Sequence, residues 1–170
     1  MTEHIAAGES DIGVGPRPTT TTARIELLGQ EPMVVVAACG HRFAAKSSVS
    51  VIELADEPFV HYDPDNGLSS WLDEFAAQHQ LSTMPVLRTR SPRTAAQLAA
   101  SGVGVAIVPI SALMAQSARI VRHLDPEVRR DVTVQIGNPA DSLAQRFVAD
   151  LRRRGLPCSV AAAHNREISA

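Results

Sequence analysis

The sequence predicts an α/β fold, with helices packed on a parallel or mixed sheet. Three observations carry that prediction. Residues 91–109 read as a complete helix–turn–strand unit. Helix-like and strand-like patterns alternate through the middle of the chain, without internal repeats. Of the 170 residues 45% are hydrophobic but only 4% aromatic, so the core must be built mainly from Ala, Val, Leu and Ile.

The elements follow in order. Ile5-Ala6-Ala7-Gly8 reads as a helix end stopped by glycine, and Asp11-Ile12-Gly13-Val14-Gly15 as a short buried strand. A loop at Pro16, Arg17 and Pro18 and a threonine run at 19–22 come next. Residues 24–38 form a second strand region, broken at Gln30-Glu31-Pro32. Residues 59–62 are a strand feeding the loop Asp63-Pro64-Asp65-Asn66-Gly67. From Leu68 the spacing turns helical, with Leu68, Trp71, Leu72, Phe75 and Ala76 on one face and Asp65 or Asn66 as the cap. Residues 85–90 are the next strand.

In the 91–109 unit, the Ser91 hydroxyl is suited to accept from first-turn N–H groups, and Pro92 takes the first helical position, where a missing N–H is harmless. Ala95, Leu98, Ala99 and Gly102 make a narrow apolar face, and Gly102 can adopt the left-handed conformation that stops the helix. Residues 103–108 are apolar throughout, as expected of a strand covered on both faces, and Pro109 ends it. A short helix beginning near Ser111 is expected over 110–117, then strands at 120–124 and 132–136. Between those strands, Glu127 to Asp131 read as a solvated polar turn. Residues 138–142 cap a final helix on which Leu143, Phe147, Val148 and Leu151 align, with Arg152, Arg153 and Arg154 suiting its C-terminus. Residues 158–170 read as a loose tail.

Composition narrows the function. Sixteen basic against eighteen acidic residues leave a net charge of −2, which offers no electrostatic footprint for nucleic acid. Cys39 and Cys158 fit neither a CxxC pair nor a metal spacing and are expected as free thiols in a reducing compartment. No signal peptide opens the chain, and no apolar stretch approaches the ~18 residues of a membrane span, so a cytoplasmic protein is expected. Ser10 lies in Gly8-Glu9-Ser10-Asp11-Ile12, where Ile12 replaces the last glycine of a hydrolase elbow. Gly102-Val103-Gly104 sits at the wrong end of a helix for a dinucleotide fingerprint. The six histidines form no i, i+4 pair with a carboxylate between them. The chain is therefore expected to carry no catalytic residues, no metal site and no cofactor.

The stretch Ala-Ala-Ser-Gly-Val-Gly-Val-Ala-Ile-Val-Pro at 99–109 resembles a signature of the effector-binding domain of LysR-type transcriptional regulators. Other segments resemble that family in the same order: Gly8 to Gly15 its last inner strand of the first lobe, 24–38 the crossing to lobe two, and Cys39 to Ala44 its "H-P-hydrophobic-A" turn with Arg42 in place of proline. Residues 49–62 resemble its "V-X-hydrophobic-X-D-L…P-hydrophobic-I" stretch, and the likeness extends to about residue 155. The resemblance implies a two-lobed, type 2 periplasmic-binding-protein-like fold, N-terminally truncated. Residues 1–28 would be a remnant of lobe I and first crossover, 29–135 lobe II, 136–155 the return to lobe I and 156–170 the tail.

On such a sheet small molecules bind where strand C-termini meet helix N-termini. The resemblance places an effector in a cleft contacted by Gly15, Pro16 and Arg17, by Asp63, Asn66 and Gly67, and by Ser91, Arg93 and Thr94. A small, anionic metabolite is the expected ligand, with Arg17 or Arg93 as countercharge and His61 the only histidine nearby. The implied partner set is this effector and a second copy of the chain, with no membrane and no DNA contact by the chain itself; DNA would be reached through a helix-turn-helix of a full-length regulator. The alternative is a stand-alone small-molecule-binding protein or enzyme on the same fold. Against one such enzyme, Thr89-Arg90-Ser91 does not meet the Thr-Arg-Phe motif of prephenate dehydratases.

Overall fold

The computed structural model describes residues 2–18, 21–113 and 119–155. The expected tail, Cys158 and the latter part of the helix expected at 110–117 lie outside them. Residues 110–112 form a single 3-10 turn.

The chain divides into two compact units. The first runs to Glu31 and resumes at Arg130; the second is Pro32–Arg129. In the first unit, α1 (Thr2–Ala6) leads through Gly8, at φ +72°, to β1 (Ile12–Pro16). β1 runs antiparallel to β8 (Arg129–Ile136), with Ile12 opposite Ile136 and Val14 opposite Val134. α4 (Ser142–Arg154) starts on Asp141, whose Oδ1 accepts from the Leu143 and Ala144 amides at 2.7 and 3.3 Å. Val134, Ile136, Ala144 and Val148 form the buried core here, with Ile12 and Leu28 packed against it.

Two expectations are corrected in this unit. β1 is only partly covered, since Val14 is 47% exposed while Gly13 is buried and Ile12 packs on the core. On α4 the buried pair is Ala144 and Val148, while Leu143 and Phe147 face solvent. The register of the helix on the sheet selects the smaller residues, because Ala144 permits close approach to Val134 and Ile136.

The second unit is a mixed sheet with helices. β2 (Arg24–Ala38) is one unbroken strand that carries the chain from the first unit into the second. The break expected at Gln30-Glu31-Pro32 does not occur. Within the second unit Val34 stands opposite Val108 of β6 (Ala106–Pro109) and opposite His123 of β7 (Arg119–Asp125), both antiparallel. β3 (Ser48–Ser50) adds to β7 in parallel. β4 (Pro58–Tyr62) and β5 (Met84–Thr89) run parallel to each other. β4 also meets Val105, whose N–H donates to the Pro58 carbonyl and whose carbonyl accepts from the Val60 N–H, each at 2.8 Å. The ladder begins here rather than at Val103, which is 39% exposed.

Two helices follow the parallel strands. α2 (Gly67–Gln78) buries Leu68, Leu72, Phe75 and Ala76 of the apolar face that the spacing predicts, together with Ser69, while Trp71 of that face is only partly buried and stacks on Phe75. α3 (Pro92–Ala100) buries Ala95, Ala96 and Ala99, and Gly102 follows at φ +91°. Small residues let α3 lie close to the strands. Tyr62, Phe43, Phe59 and Met33 are fully buried, each worth about 1.5–3 kcal/mol in burial of apolar surface. The Tyr62 hydroxyl donates to the Ile107 carbonyl at 2.7 Å, so its polar end is not left bare in the core.

Candidate functional site

The site is built by the parallel register of β4 and β5. Tyr62 and Thr89 stand opposite each other at the C-terminal ends of these strands. Each strand passes through a few residues into a helix, so α2 and α3 open at the same edge of the second unit. Helix geometry gives first-turn N–H groups no carbonyl partner inside their own helix, and the aligned peptide dipoles leave partial positive charge there.

The caps satisfy part of this need. Asn66 Oδ1 accepts from the Leu68 N–H at 2.8 Å, and Ser91 Oγ accepts from the Thr94 N–H at 3.4 Å. The two starts are then laced together. Asn66 Nδ2 donates to the Arg90 carbonyl at 2.6 Å, and the Asp63 N–H donates to the Thr89 carbonyl at 3.0 Å. The Arg90 guanidinium lies 3.3 Å from Asp63 Oδ2 and 4.0 Å from Asp65 Oδ2. Arg93 and Thr94 are exposed, and among the described residues Arg93 makes no ion pair. An edge with two helix N-termini and one unengaged guanidinium is suited to hold an anion.

Of the sequence-predicted residues, Asp63, Asn66, Gly67, Ser91, Arg93 and Thr94 thus lie around this one edge. Gly15, Pro16 and Arg17 belong to the first unit. The Gly15 carbonyl accepts from Thr133 Oγ1 at 3.3 Å, Pro16 closes β1 opposite Val132, and Arg17 Nε lies 3.6 Å from Asp131 Oδ2.

A polar network around the buried His61, behind the edge, was missed in the sequence apart from that histidine; its other members, Arg88 and Asp73, are exposed. Arg88 donates to the Tyr62 carbonyl at 2.7 Å and to His61 Nδ1 at 2.9 Å. His61 Nδ1 also lies 3.1 Å from the Tyr62 carbonyl, and Nε2 lies 3.2 Å from Asp73 Oδ1. This chain ties β5, β4 and α2 together just beneath the helix starts. Its one sequence signal was His61 beside a strand end. Arg88 and Asp73 could be assigned to it only through the cross-strand register, where His61 stands opposite Arg88.

A family model described as the LysR substrate binding domain matches residues 1–156. The RuBisCO operon transcriptional regulator of Allochromatium vinosum is 26% identical over 156 residues, covering 92% of this chain and 47% of that protein. Its namesake in Acidithiobacillus ferrooxidans is 24% identical over 119 residues, or 69% of this chain and 38% of that protein. The chain therefore spans less than half the length of these relatives. Among solved structures, the regulatory domain of Synechocystis PCC6803 CcmR in complex with 2-PG superposes with a TM-score of 0.78 at 19% identity, covering 93% of this chain and 79% of that one. The effector binding domain of QuiR in complex with shikimate gives 0.77 at 20% identity, covering 90% and 75%. The BenM effector binding domain with its effector benzoate gives 0.73 at 22% identity, covering 90% and 72%. These likenesses place the fold in the α/β, two-lobed periplasmic-binding-protein-like class.

Proposed function

We infer the function from one premise: this chain belongs to the LysR substrate binding domain family. It is an effector-binding domain of the kind carried by transcriptional regulators. We propose that its effector is a small anionic metabolite seated at the shared edge of α2 and α3, against Asn66, Gly67, Ser91, Arg93 and Thr94. The observation that carries this reading is the joining of two helix N-termini through the Asn66–Arg90 hydrogen bond at 2.6 Å. Both openings then turn positive dipole ends toward one acceptor. The chemistry of the neighbours' ligands supports it, since benzoate and shikimate are both carboxylates.

On this reading the domain senses and does not catalyse. It works in the cytoplasm within a homodimeric regulator whose helix-turn-helix holds the operator. The effector changes the regulator's state only by binding one arrangement of it more tightly than another.

Calorimetric titration of the chain with shikimate, benzoate and their neutral amides tests the seat. The acids are expected to bind and the amides not. Ser91→Ala and Arg93→Ala are each expected to weaken the acid about 5–10-fold, in line with the loss of one charge-assisted contact. An affinity unchanged in Ser91→Ala removes that residue from the site, and equal binding of acid and amide overturns the anionic reading.

A further inference from the structure

The sheet of the first unit has an open side. Its strands run in the order β1, β8, β2, and among the described residues no strand pairs with the outer edge of β1. The register fixes what that edge offers. The Gly137 N–H donates to the Asp11 carbonyl at 2.9 Å, and this pair continues the register that sets Ile12 opposite Ile136. Hydrogen-bonded pairs in an antiparallel ladder recur at every second residue. Asp11, Gly13 and Gly15 therefore turn their backbone groups to β8, and Ile12, Val14 and Pro16 turn theirs outward. Pro16 stands opposite Val132 at a position where its missing N–H takes no bond from the ladder.

One face of this edge is apolar. Ile12 packs on the core beneath α4, so Val14, two residues on, points to the same face, where it is 47% exposed. Arg152 of α4 reaches Glu26 of β2 at 2.9 Å, so that flank of the helix faces β2. At ~100° per residue, Leu143 and Phe147 fall on the other flank, toward β1, and both are exposed. The opposite face of the edge carries charge. Asp11 and Arg17, one residue beyond either end of β1, are exposed, and Pro18 favours extended backbone at Arg17. Among the described residues Asp11 makes no ion pair, and Arg17 makes the loose one with Asp131 at 3.6 Å.

We propose that β1 pairs antiparallel with β1 of a second copy of this chain, about a two-fold axis at Val14, so that two sheets join into one. With Val14 opposite its own counterpart, Ile12 stands opposite Pro16 and Asp11 opposite Arg17. Every outward N–H then finds an acceptor: that of Val14 bonds to the Val14 carbonyl of the other copy, and that of Ile12 to the Pro16 carbonyl. Asp11 and Arg17 meet on both sides of the axis in non-hydrogen-bonded pairs, where side chains lie closest. The exposed Val14 side chains meet at the axis, with the apolar flank of α4 turned toward the seam from each copy. The strand is complementary to itself in donors, shape and charge, which favours a second copy over an unrelated peptide.

Sedimentation velocity of the full chain over a concentration series reads the association. Hydrogen–deuterium exchange, followed residue by residue on the ¹⁵N-labelled chain, reads the edge. A dimer is expected, with exchange at the Ile12 and Val14 amides slowing as its fraction rises. Val14→Lys sets like charges on the axis and is expected to leave a monomer. Asp11→Arg and Arg17→Asp each place like charges opposite one another twice, and each is expected to weaken association about ten-fold. An equimolar mixture of those two variants restores opposite charges at both positions and is expected to associate as the original chain does. Circular dichroism checks that each variant is folded, and exchange in the original chain decides the matter if one is not. A monomer at every concentration, a dimer whose Ile12 and Val14 amides exchange as in the monomer, or no recovery in the mixture overturns the proposal. The second outcome leaves a homodimer standing on another face, so this interface and the homodimeric reading are judged separately.

Discussion

Asn66 reaches in two directions at once: its Oδ1 accepts from the Leu68 N–H at 2.8 Å and its Nδ2 donates to the Arg90 carbonyl at 2.6 Å. One side chain therefore starts α2 and ties it to the segment that starts α3. Asn66→Asp keeps the cap acceptor but sets a carboxylate against a carbonyl. It is expected to cost about 1 kcal/mol of stability, the size of a net hydrogen bond, and to weaken binding of acids at the α2–α3 edge more than Asn66→Ser does. Urea unfolding and calorimetry of the two variants check both parts.

Gly104 is held by space rather than by a left-handed backbone. A Cβ there would stand 2.4 Å from the Pro58 carbonyl oxygen and 2.9 Å from its carbon. Both atoms are backbone, and that oxygen already accepts from the Val105 N–H. Gly104→Ala is expected to push β4 away from Val105 and cost about 1–3 kcal/mol, the usual range for overpacking. A fall in the urea midpoint measures it.

Glu31 and Arg130 form a buried pair, with one Glu31 oxygen accepting from Arg130 Nε at 2.9 Å and Nη2 at 2.5 Å. Their side chains are 8% and 10% exposed. Removing one partner strands the other charge, so Glu31→Leu is expected to cost about 3–5 kcal/mol. Replacing both, as Glu31→Leu with Arg130→Met, is expected to recover most of that loss. A double-mutant cycle by chemical denaturation reads the difference directly.

Gln135 presents the opposite case. It is fully buried on β8, and both polar atoms of its amide lack a hydrogen-bond partner among the described residues. Its strand neighbour across the ladder is Gly13, which offers no side chain. Gln135→Met keeps the volume and discards the unsatisfied dipole. It is expected to stabilise the chain by about 1–3 kcal/mol, seen as a raised thermal midpoint.

Glu53 supplies the pH dependence. Its hydrogen bond to the Lys46 ammonium, then the Ser50 N–H, and the charges of Lys46 and Arg42 hold its carboxyl below the ordinary glutamate value, against a smaller opposing effect of desolvation. A carboxyl lowered in the folded state stabilises that state above its unfolded pKa, about 4.3. The benefit is lost as pH falls through the lower folded value. Glu53→Gln is therefore expected to lower the thermal midpoint at pH 7 and to leave it unchanged once the wild-type carboxyl is protonated in strong acid.

What the chain discloses on its own is what short-range chemistry decides. The cap at Ser91, most of the apolar face of α2 and the stop at Gly102 each depend on residues within a few positions and stand where the spacing puts them, and of the two residues the spacing offers as the α2 cap, Asp65 and Asn66, it is Asn66 that caps. The Glu127 to Asp131 stretch reads as a solvated turn because the partner of Arg130 lies 99 residues away. Pro32 reads as a strand break, yet β2 continues through it at the boundary between the units, and the next amide, of Met33, donates to Val128 at 2.8 Å. Spacing likewise marks an apolar stripe on α4 without saying which neighbouring row, Leu143 with Phe147 or Ala144 with Val148, meets the sheet. Sheet register decides that, as it decides the meeting of Arg88, His61 and Asp73.

The hydrogen bond from Met33 to Val128 has a practical corollary. It pins the beginning of the Pro32–Arg129 unit beside its end, so these residues are a single insertion with adjoining termini. Such a segment is expected to tolerate excision, closure by a short glycine linker or permutation, because its buried cluster of Phe43, Phe59, Tyr62 and Ile107 lies wholly within it. A miniature cut this way retains the Asn66–Arg90 junction and gives a ready scaffold for grafting or evolving acid recognition.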